Sequence, residues 1–397
     1  MSTLPHDPVV IASAARTPMG SFGGALSGVA APELGATAVR EAVARAQLAS
    51  GDVDQAYLGC VLPAGARQAP ARQAVRKGGL DDSTTCTTIN KVCGSGMKTI
   101  MLAHDGLLLG DGQVMLAGGM ESMSNAPYLL PGARRGYRMG AGSPPQDHMF
   151  LDGLQDAETS QLMGVFAQQA ADREGYSREA MDAFAIESLK RSRQAIEEGW
   201  LREEIVPVTI TGKKGEHQIR DDEQPMQADP ERIPSMKPAF ASDGTITAAN
   251  ASSISDGASS LLLMSESEAK RLGMPIRARI HAHATHSQHP SEFTHAPVGA
   301  LKRLMEKTGW QQSDVDLFEI NEAFAVVAML AIDGLGLDAE KVNVTGGACA
   351  QGHPIGSTGS RLLVTLLHAL ERLDKARGVA SLCIGGGEAT AVAIERA

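Results

Sequence analysis

The chain has 397 residues, and its 46 acidic against 36 basic side chains give a formal net charge of −10. This length allows two or three domain-sized units with a sizeable core. The acidic balance and the lack of a long basic run argue against nucleic-acid binding. No apolar run approaches the roughly 18 residues that a membrane span needs.

The cysteines and the N-terminal segment both bear on the compartment. Met1–Asp7 has neither a basic region nor an apolar region of the secretory kind, and the strand-like run Pro8–Ala12 follows at once. Five cysteines in a chain of this length fit free thiols in a reducing compartment better than a disulfide framework. We therefore expect no targeting segment and a cytoplasmic location.

The chain contains a weak internal repeat. Gly51–Gly59 resembles Ser313–Asn321, and each follows a segment whose apolar side chains share one helical face. Downstream, Cys93 and His353 each open a Gly-rich turn that leads into another apolar helical pattern. The same features recur in the same order, which predicts two halves of similar fold.

The repeat also locates an insertion. Each second helix is followed by a short strand that ends in glycines and a glutamate, Val114–Glu121 in the first half and Ser381–Glu388 in the second. The last strand of the second half follows directly, whereas residues 126–249 intervene in the first, with a helical stretch at about Gln161–Glu197. The predicted domains are residues 1–125 with 250–275, residues 126–249, and residues 276–397.

The alternation of strands and helices favours an α/β architecture. We expect two similar mixed sheets that pack through shared helices, with pseudo-twofold symmetry bringing the two Gly-rich turns face to face. Cys93, His353 and Cys383 would then meet in one pocket. The Gly-rich segments lack the strand context of a dinucleotide fingerprint and the lysine of a phosphate-binding loop.

Cys93 is the strongest candidate nucleophile. At the N-terminus of a helix, free N–H groups and the positive dipole end favour a thiolate, and glycines at 94 and 96 permit a tight turn. The alternative is a small core hydrophobe, the usual state of a cysteine. That alternative is assigned to Cys60, Cys86 and Cys349.

Three further side chains complete the candidate site. His353 could donate a hydrogen bond to a thioester oxygen that becomes an enolate-like oxyanion, as part of an oxyanion hole. Asn321 could orient a water or a side chain in the same oxyanion hole. Cys383 ends a strand just before three glycines, where a second thiol could accept and return protons. Taken singly, these residues also fit a structural histidine, a turn residue and a buried strand cysteine.

These segments together resemble the thiolases, specifically the acetyl-CoA acetyltransferases, from Ala14 to Ala391. Five motifs in order carry the resemblance. They are Val92–Met97, Gly118–Ser124, Asn321–Phe324, Gly352–Gly356 and Cys383–Gly387.

The resemblance implies a duplicated α-β-α-β-α layered fold and a role for each candidate. Cys93 is acylated, His353 with Asn321 forms one oxyanion hole, and Cys383 is the acid and base. The backbone N–H groups of Cys93 and Gly385 form a second hole. Two acetyl-CoA molecules give acetoacetyl-CoA and coenzyme A, or the reverse. Coenzyme A is then a substrate, with no prosthetic group and no metal, and the assembly is a homotetramer, a dimer of dimers.

In the resemblance the insertion is a loop domain that covers coenzyme A. The residues expected to line the groove are Leu154, Met163, Phe240, Ala248, Ser252 and Phe324. Phe293 is expected to restrict the pocket for the acyl chain. Arg134, Arg135 and Arg138 form a basic cluster that fits a coenzyme A phosphate, a tetramer contact or a solvated surface equally well.

Departures from the family pattern at Leu162, Met226, Phe293, Gln351 and Ser253 leave the acyl-chain preference open. The nearest alternative is a degradative 3-ketoacyl-CoA thiolase for longer chains. A non-catalytic thiolase-like carrier and a decarboxylating ketoacyl synthase are further alternatives. Retention of both cysteines with the histidine argues against each of these two.

Overall fold

The computed structural model describes residues 7–140, 142–212 and 215–397. Residues 1–6 lie outside the described residues. They belong to the segment Met1–Asp7, which the sequence predicts to lack a targeting signal. The strands are β1 (Val9–Arg16), β2 (Gly20–Ser21), β3 (Gln55–Gly59), β4 (Thr85–Ile89), β5 (Val114–Ser122), β6 (Tyr128–Leu129), β7 (Gln146–Asp147), β8 (Val208–Gly212), β9 (Gly215–Ile219), β10 (Ser255–Ser265), β11 (Ala278–Ser287), β12 (Leu317–Ile320), β13 (Arg377–Ile384) and β14 (Glu388–Arg396).

The helices alternate with these strands along the chain. They are α1 (Ala31–Arg45), α2 (Pro70–Lys77), α3 (Ser95–Leu109), α4 (Met163–Glu174), α5 (Arg178–Glu197), α6 (Glu223–Gln227), α7 (Glu266–Leu272), α8 (Ala296–Thr308), α9 (Ala325–Leu335), α10 (Ala348–Gln351) and α11 (Thr358–Arg372). No helix in the described part of the chain is both long enough and apolar enough to cross a membrane.

The strand order repeats in the two halves. The first half runs β4-β3-β5-β10-β1 and the second runs β12-β13-β14-β11. The chain at Val342 adds a single parallel bridge to Phe318 in the place that β4 holds in the first half. In both halves the strands at the outer edge pair in parallel, and the strands that follow them in the sheet pair antiparallel. The repeat seen in the sequence therefore corresponds to a repeated topology.

The two halves are joined in one sheet, which corrects the prediction of two separate sheets. β1 pairs with β11 through only two residue pairs, Val10 with Arg279 and Ile11 with Ala278. This short antiparallel contact makes the ten-stranded sheet continuous across the described residues. The alternation of strands and helices along the chain is a local pattern, and it predicts the fold of each half. The pairing of β1 with β11 joins distant parts of the chain, so no local pattern predicts it.

The two halves of this sheet lie in two layers, with helices outside each half and between them. α1 and α2 pack on one outer side, α8 and α9 on the other, and α3 packs against α11 between the halves. The central apolar cluster combines Met97, Ile100 and Met101 of α3 with the leucines of α11 and the inner faces of both halves. The α-β-α-β-α order expected from the resemblance is therefore present. The two central helices are those that follow the Gly-rich turns.

The insertion is anchored to the second half, and the helical stretch predicted at about Gln161–Glu197 is present with one break. The helical stretch predicted at Gln161–Glu197 is two helices, because Gly175 adopts a left-handed φ of 74° that ends α4. Ser177 then accepts a hydrogen bond from the N–H of Ala180 and starts α5. α4 and α5 pack against α9 of the second half, which places the insertion over the sheet ends where the Gly-rich turns lie.

Candidate active site

A cavity of about 470 Å³ lies where the insertion meets the two Gly-rich turns. Four predicted catalytic residues line it, namely Cys93, His353, Cys383 and Gly385. All the predicted groove residues line it as well, namely Leu154, Met163, Phe240, Ala248, Ser252, Phe293 and Phe324. The walls are mostly apolar side chains, so the few polar groups that enter the cavity control its chemistry.

Cys93 lies at the N-terminal end of a helix, as the sequence predicted, but before the cap and not within the first turn. α3 begins at Ser95 with Gly94 as its cap, so Cys93 precedes the cap. Val92 adopts a left-handed φ of 47°, a conformation that is an outlier for a β-branched residue. A Cβ at Gly94 would lie 2.3 Å from Cδ1 of Ile384, so a larger residue here would force the Ile384 side chain to move.

The thiol of Cys93 is deep in the cavity yet retains some accessible surface. Burial raises its pKa to about 11, although a hydrogen bond from the N–H of Gly385 acts in the opposite direction. The thiol is therefore neutral at pH 7, contrary to the thiolate expected from a helix dipole. Attack on a thioester requires a partner that takes its proton.

His353 provides a basic nitrogen in the same cavity. Its Nδ1 lies 2.6 Å from the Thr358 hydroxyl, and that hydroxyl donates to the carbonyl of Pro354 at 3.0 Å. Because the Thr358 hydroxyl donates its proton to the carbonyl of Pro354, the imidazole proton is on Nδ1, which donates to the hydroxyl oxygen. Nε2 is then unprotonated, and it has no hydrogen-bond partner among the described residues.

The environment of His353 keeps the ring neutral. Burial and the nearby Arg361 guanidinium lower its pKa to about 3. A neutral ring can accept the proton of Cys93 as the sulfur attacks. Once protonated, Nε2 can donate to an oxygen that becomes negative, so the acceptor and oxyanion roles follow one another.

Cys383 is the more deeply buried of the two cavity thiols, with 1% of its surface exposed. It precedes the last residue of β13, the strand that continues into the glycines at 385–387. Burial raises its pKa well above the ordinary value, and the neighbouring Cys93 raises it further. Cys383 therefore holds its proton firmly and can donate it to a carbanion.

Asn321 is not among the residues that line the cavity. It is fully buried, and its backbone N–H donates to the carbonyl of Ser381 at 3.0 Å. Both polar atoms of its side-chain amide lack a hydrogen-bond partner among the described residues. Buried amides of this kind commonly bind an ordered water, which is the role the sequence suggested for Asn321.

Glu121 was noted in the sequence only as the end of a repeated strand. Its carboxylate accepts hydrogen bonds from the N–H groups of Val61 at 2.9 Å, Leu62 at 3.2 Å and Gly356 at 3.0 Å. Burial raises its pKa to about 7. Glu121 thereby connects the first half to the turn that follows His353, and its position after two glycines was the available signal.

The remaining predictions concern residues near the site. Phe324 packs edge-on against Phe240, with ring centroids 6.1 Å apart, and against Phe293 at 6.3 Å. Arg134, Arg135 and Arg138 are exposed and outside the cavity wall. Sequence reasoning did not place several wall residues, namely Phe22, Phe150, Gly153, Ile254 and Ile355. They come from four separate segments, and of these five only Ile355 lies within one of the sequence motifs.

Comparisons with known proteins agree with this geometry. Residues 9–267 match the family described as thiolase, N-terminal domain, and residues 274–396 match thiolase, C-terminal domain. Acetyl-CoA acetyltransferases from Pseudomonas aeruginosa and Cupriavidus necator are 47% and 46% identical, over 98% of this chain and 99% of each relative. One from Escherichia coli is 45% identical over 98% of both chains.

A solved structure shows the same fold. A crystal structure of a thiolase from Ascaris suum in complex with coenzyme A superimposes with a TM-score of 0.93 at 39% identity. The match covers 98% of this chain and all of the other. The predicted α/β fold class is confirmed by this likeness.

Proposed function

Since the chain belongs to the thiolase family, we propose that it is an acetyl-CoA C-acetyltransferase, an acyltransferase that interconverts two acetyl-CoA with acetoacetyl-CoA and coenzyme A. Full-length relatives at 44–47% identity carry the name acetyl-CoA acetyltransferase, and a structural relative holds coenzyme A. The observation that carries the proposal for this chain is the single cavity shared by Cys93, His353 and Cys383.

The neutral resting state of the site suits thiolysis. The sulfur of Cys93 attacks the keto carbon of acetoacetyl-CoA while its proton moves to Nε2 of His353. The carbon–carbon bond then breaks, and the enolate of acetyl-CoA takes the proton of Cys383. The N–H groups of Cys93 and Gly385 stabilise the oxygen on the acetyl group, and protonated His353 with an Asn321-bound water stabilises the enolate oxygen.

The second step returns every proton. The thiol of coenzyme A attacks the acetyl group on Cys93 and gives its proton to Cys383. Cys93 leaves as a thiolate and recovers its proton from His353. Condensation is this sequence in reverse, with Cys383 removing the α-proton of the second acetyl-CoA. Splitting the reaction into two steps through a covalent intermediate lowers each barrier.

The acyl-cysteine intermediate provides the test of the mechanism. Incubation with acetoacetyl-CoA should add one acetyl group to Cys93, which peptide mass spectrometry detects. Cys93→Ala should abolish turnover while leaving folding and coenzyme A binding intact. Cys86→Ser, at a thiol outside the cavity, should acylate and turn over normally. An active enzyme without a modified Cys93 would refute the assignment, and a carrier would show no turnover in any form.

The preferred acyl chain separates the two thiolase alternatives. Phe293 is buried in the cavity wall and contacts the ring of Phe324, so we expect acetoacetyl-CoA to be cleaved faster than longer 3-ketoacyl-CoA. Thiolysis rates across a chain-length series measure this directly. Phe293→Leu should shift the preference toward longer chains. Faster cleavage of longer substrates by the unaltered protein would identify the degradative enzyme.

The cellular setting completes the proposal. We propose a cytoplasmic homotetramer, a dimer of dimers that acts in lipid metabolism with coenzyme A as a substrate and no prosthetic group. Support comes from the five cysteines, all free thiols, and from exposed apolar side chains at Tyr128, Leu130, Tyr137 and Met139. Clusters of this kind mark protein contacts. Light scattering on the purified protein measures the number of subunits.

The domain division is part of the same proposal. Residues 1–125 with 250–275 form one half, residues 276–397 the other, and residues 126–249 the loop domain. The repeated strand order supports the two halves. Met163 and Gly164 of α4 line the cavity, which supports a covering role for the insertion.

A further inference from the structure

A second cluster of reactive side chains lies at the far end of α3. His104 and Asp105 belong to the last turns of this helix, and His283 belongs to β11. Nε2 of His283 lies 2.8 Å from Oδ1 of Asp105, and Nδ1 of His104 lies 3.2 Å from the same oxygen. The three ligand atoms lie within 4.8 Å of one another.

The arrangement of these three groups matches a known ligand type. Two histidines and one carboxylate form the protein ligands of many open divalent-metal sites. Ligand atoms about 2.1 Å from a tetrahedral zinc ion lie roughly 3.4 Å apart, and the contacts to Asp105 at 2.8 and 3.2 Å are roughly 0.6 and 0.2 Å shorter than that spacing. A small adjustment of three side chains would therefore suffice.

The protonation states also suit metal binding. Burial lowers the pKa of both His104 and His283, which favours the neutral form that binds metals. In the metal-free arrangement each ring directs a nitrogen at the same carboxylate oxygen. One ion would take the place of these two hydrogen bonds, with each neutral ring keeping its single proton on the other nitrogen, and it would satisfy the carboxylate as well.

We propose that His104, Asp105 and His283 form a binding site for a divalent transition-metal ion of the zinc type. The side chain of Asp105 is half exposed, which gives an ion access and leaves room for water as a further ligand. The site is separate from the thioester chemistry, because His104 lies roughly 14 Å along the helix from Ser95. A bound ion would fasten α3 of the first half to β11 of the second.

Two lysines act against this site. Both Lys98 and Lys307 lie close enough to lower the pKa of His283, and Nζ of Lys307 donates to the carbonyl of His283 at 2.9 Å. Their positive charges repel a cation. Removal of the charge at Lys307 should therefore strengthen binding, a sign that a purely structural hydrogen-bonded cluster would not produce.

Cobalt(II) chloride is the probe, because its visible spectrum reports the donor atoms. Titration of the intact, metal-free protein should show one saturable Co²⁺ per chain with ligand-field bands and no thiolate charge-transfer band. Zinc should displace it, and both ions should raise the thermal unfolding temperature. His283→Gln and His104→Gln should each weaken binding at least tenfold and abolish the temperature shift.

The matched control is His281→Gln. This neighbouring histidine on β11 pairs with Glu395 at 2.7 Å and lies outside the cluster, so binding should be unchanged. Lys307→Met should bind Co²⁺ more tightly than the unaltered protein. The proposal is overturned by any of three results: no saturable binding, binding that survives both cluster variants, or weaker binding by Lys307→Met. A thiolate band as the only spectral change would place the ion on cysteine and would also overturn it.

Discussion

The protonation states of Cys93 and His353 are set by burial. The two groups lie in one cavity, one with its pKa raised to about 11 and the other with its pKa lowered to about 3. At a pH between these two pKa values the thiol and the imidazole are both neutral, so the resting site contains no thiolate. In the proposed mechanism, the substrate is attacked by a thiol whose proton moves to imidazole during the reaction.

This state predicts how Cys93 reacts with an alkylating agent. Because the thiolate is the reactive form and the pKa is about 11, the rate with iodoacetamide should rise about tenfold per pH unit between roughly pH 7 and 10. Mass spectrometry of samples quenched at successive times, with the Cys86→Ser variant, measures the rate of alkylation at Cys93. A plateau below about pH 8 would indicate a thiolate stabilised by the site and would contradict the prediction.

Thr358 is a positioning residue for His353. Its hydroxyl oxygen, 2.6 Å from Nδ1, fixes which nitrogen faces the cavity. Thr358→Val should lower kcat about 10- to 100-fold, a part of what acid–base catalysis contributes, while KM changes little.

Thr358→Ser is the matched control, since it keeps the oxygen and should keep most of kcat. A merely structural effect would lower the unfolding temperature of Thr358→Val without this separation of kcat from KM. Equal kcat for the valine and serine variants would remove Thr358 from the mechanism.

Among the elements, β5 and the turn after His353 approach each other without intervening side chains. A Cβ at Gly119 would lie 2.0 Å from the carbonyl oxygen of Gly356, and backbone cannot move aside as a flexible side chain can. Gly119→Ala should therefore destabilise the fold by about 1–3 kcal/mol and displace the turn that carries His353, with a loss of activity.

Gly51→Ala serves as the comparison, because a Cβ there meets nothing within 4 Å. Its effect on stability should stay within about 0.5 kcal/mol. Urea unfolding gives both values. Similar midpoints for the two variants would show that the strand and the turn separate easily.

At the scale of the whole molecule, Arg16 connects the first strand to the insertion. Its guanidinium contacts Glu204 at 2.6 Å and Asp222 at 2.7 Å, and all three side chains are almost fully buried. Arg16→Met removes the ion-pair partner of two buried carboxylates, which should cost about 3–5 kcal/mol. Denaturant unfolding measures the loss.

An exposed ion pair gives the contrast. Arg76 contacts Asp82 at 2.5 Å, but the two side chains are 58% and 70% exposed. Arg76→Met should cost less than about 1 kcal/mol. If Arg16→Met were equally mild, the insertion would be held by its apolar contacts alone.

The sequence by itself determined the features that depend on local pattern. The repeated order of helices, strands and Gly-rich turns predicted two similar halves and the insertion between them. The motifs around Cys93, His353 and Cys383 pointed to one pocket and one reaction class. Such patterns are readable because side-chain periodicity and glycine positions act over a few residues.

Tertiary structure alone decided what depends on burial and on contacts between distant segments. The pKa of Cys93 was expected to fall at a helix N-terminus, and desolvation raises it instead. The joining of β1 to β11, the anchoring role of Glu121 and the grouping of His104 with His283 all involve residues far apart in the chain. A linear sequence contains neither the dielectric around a side chain nor the distance between such residues, and only packing supplies both.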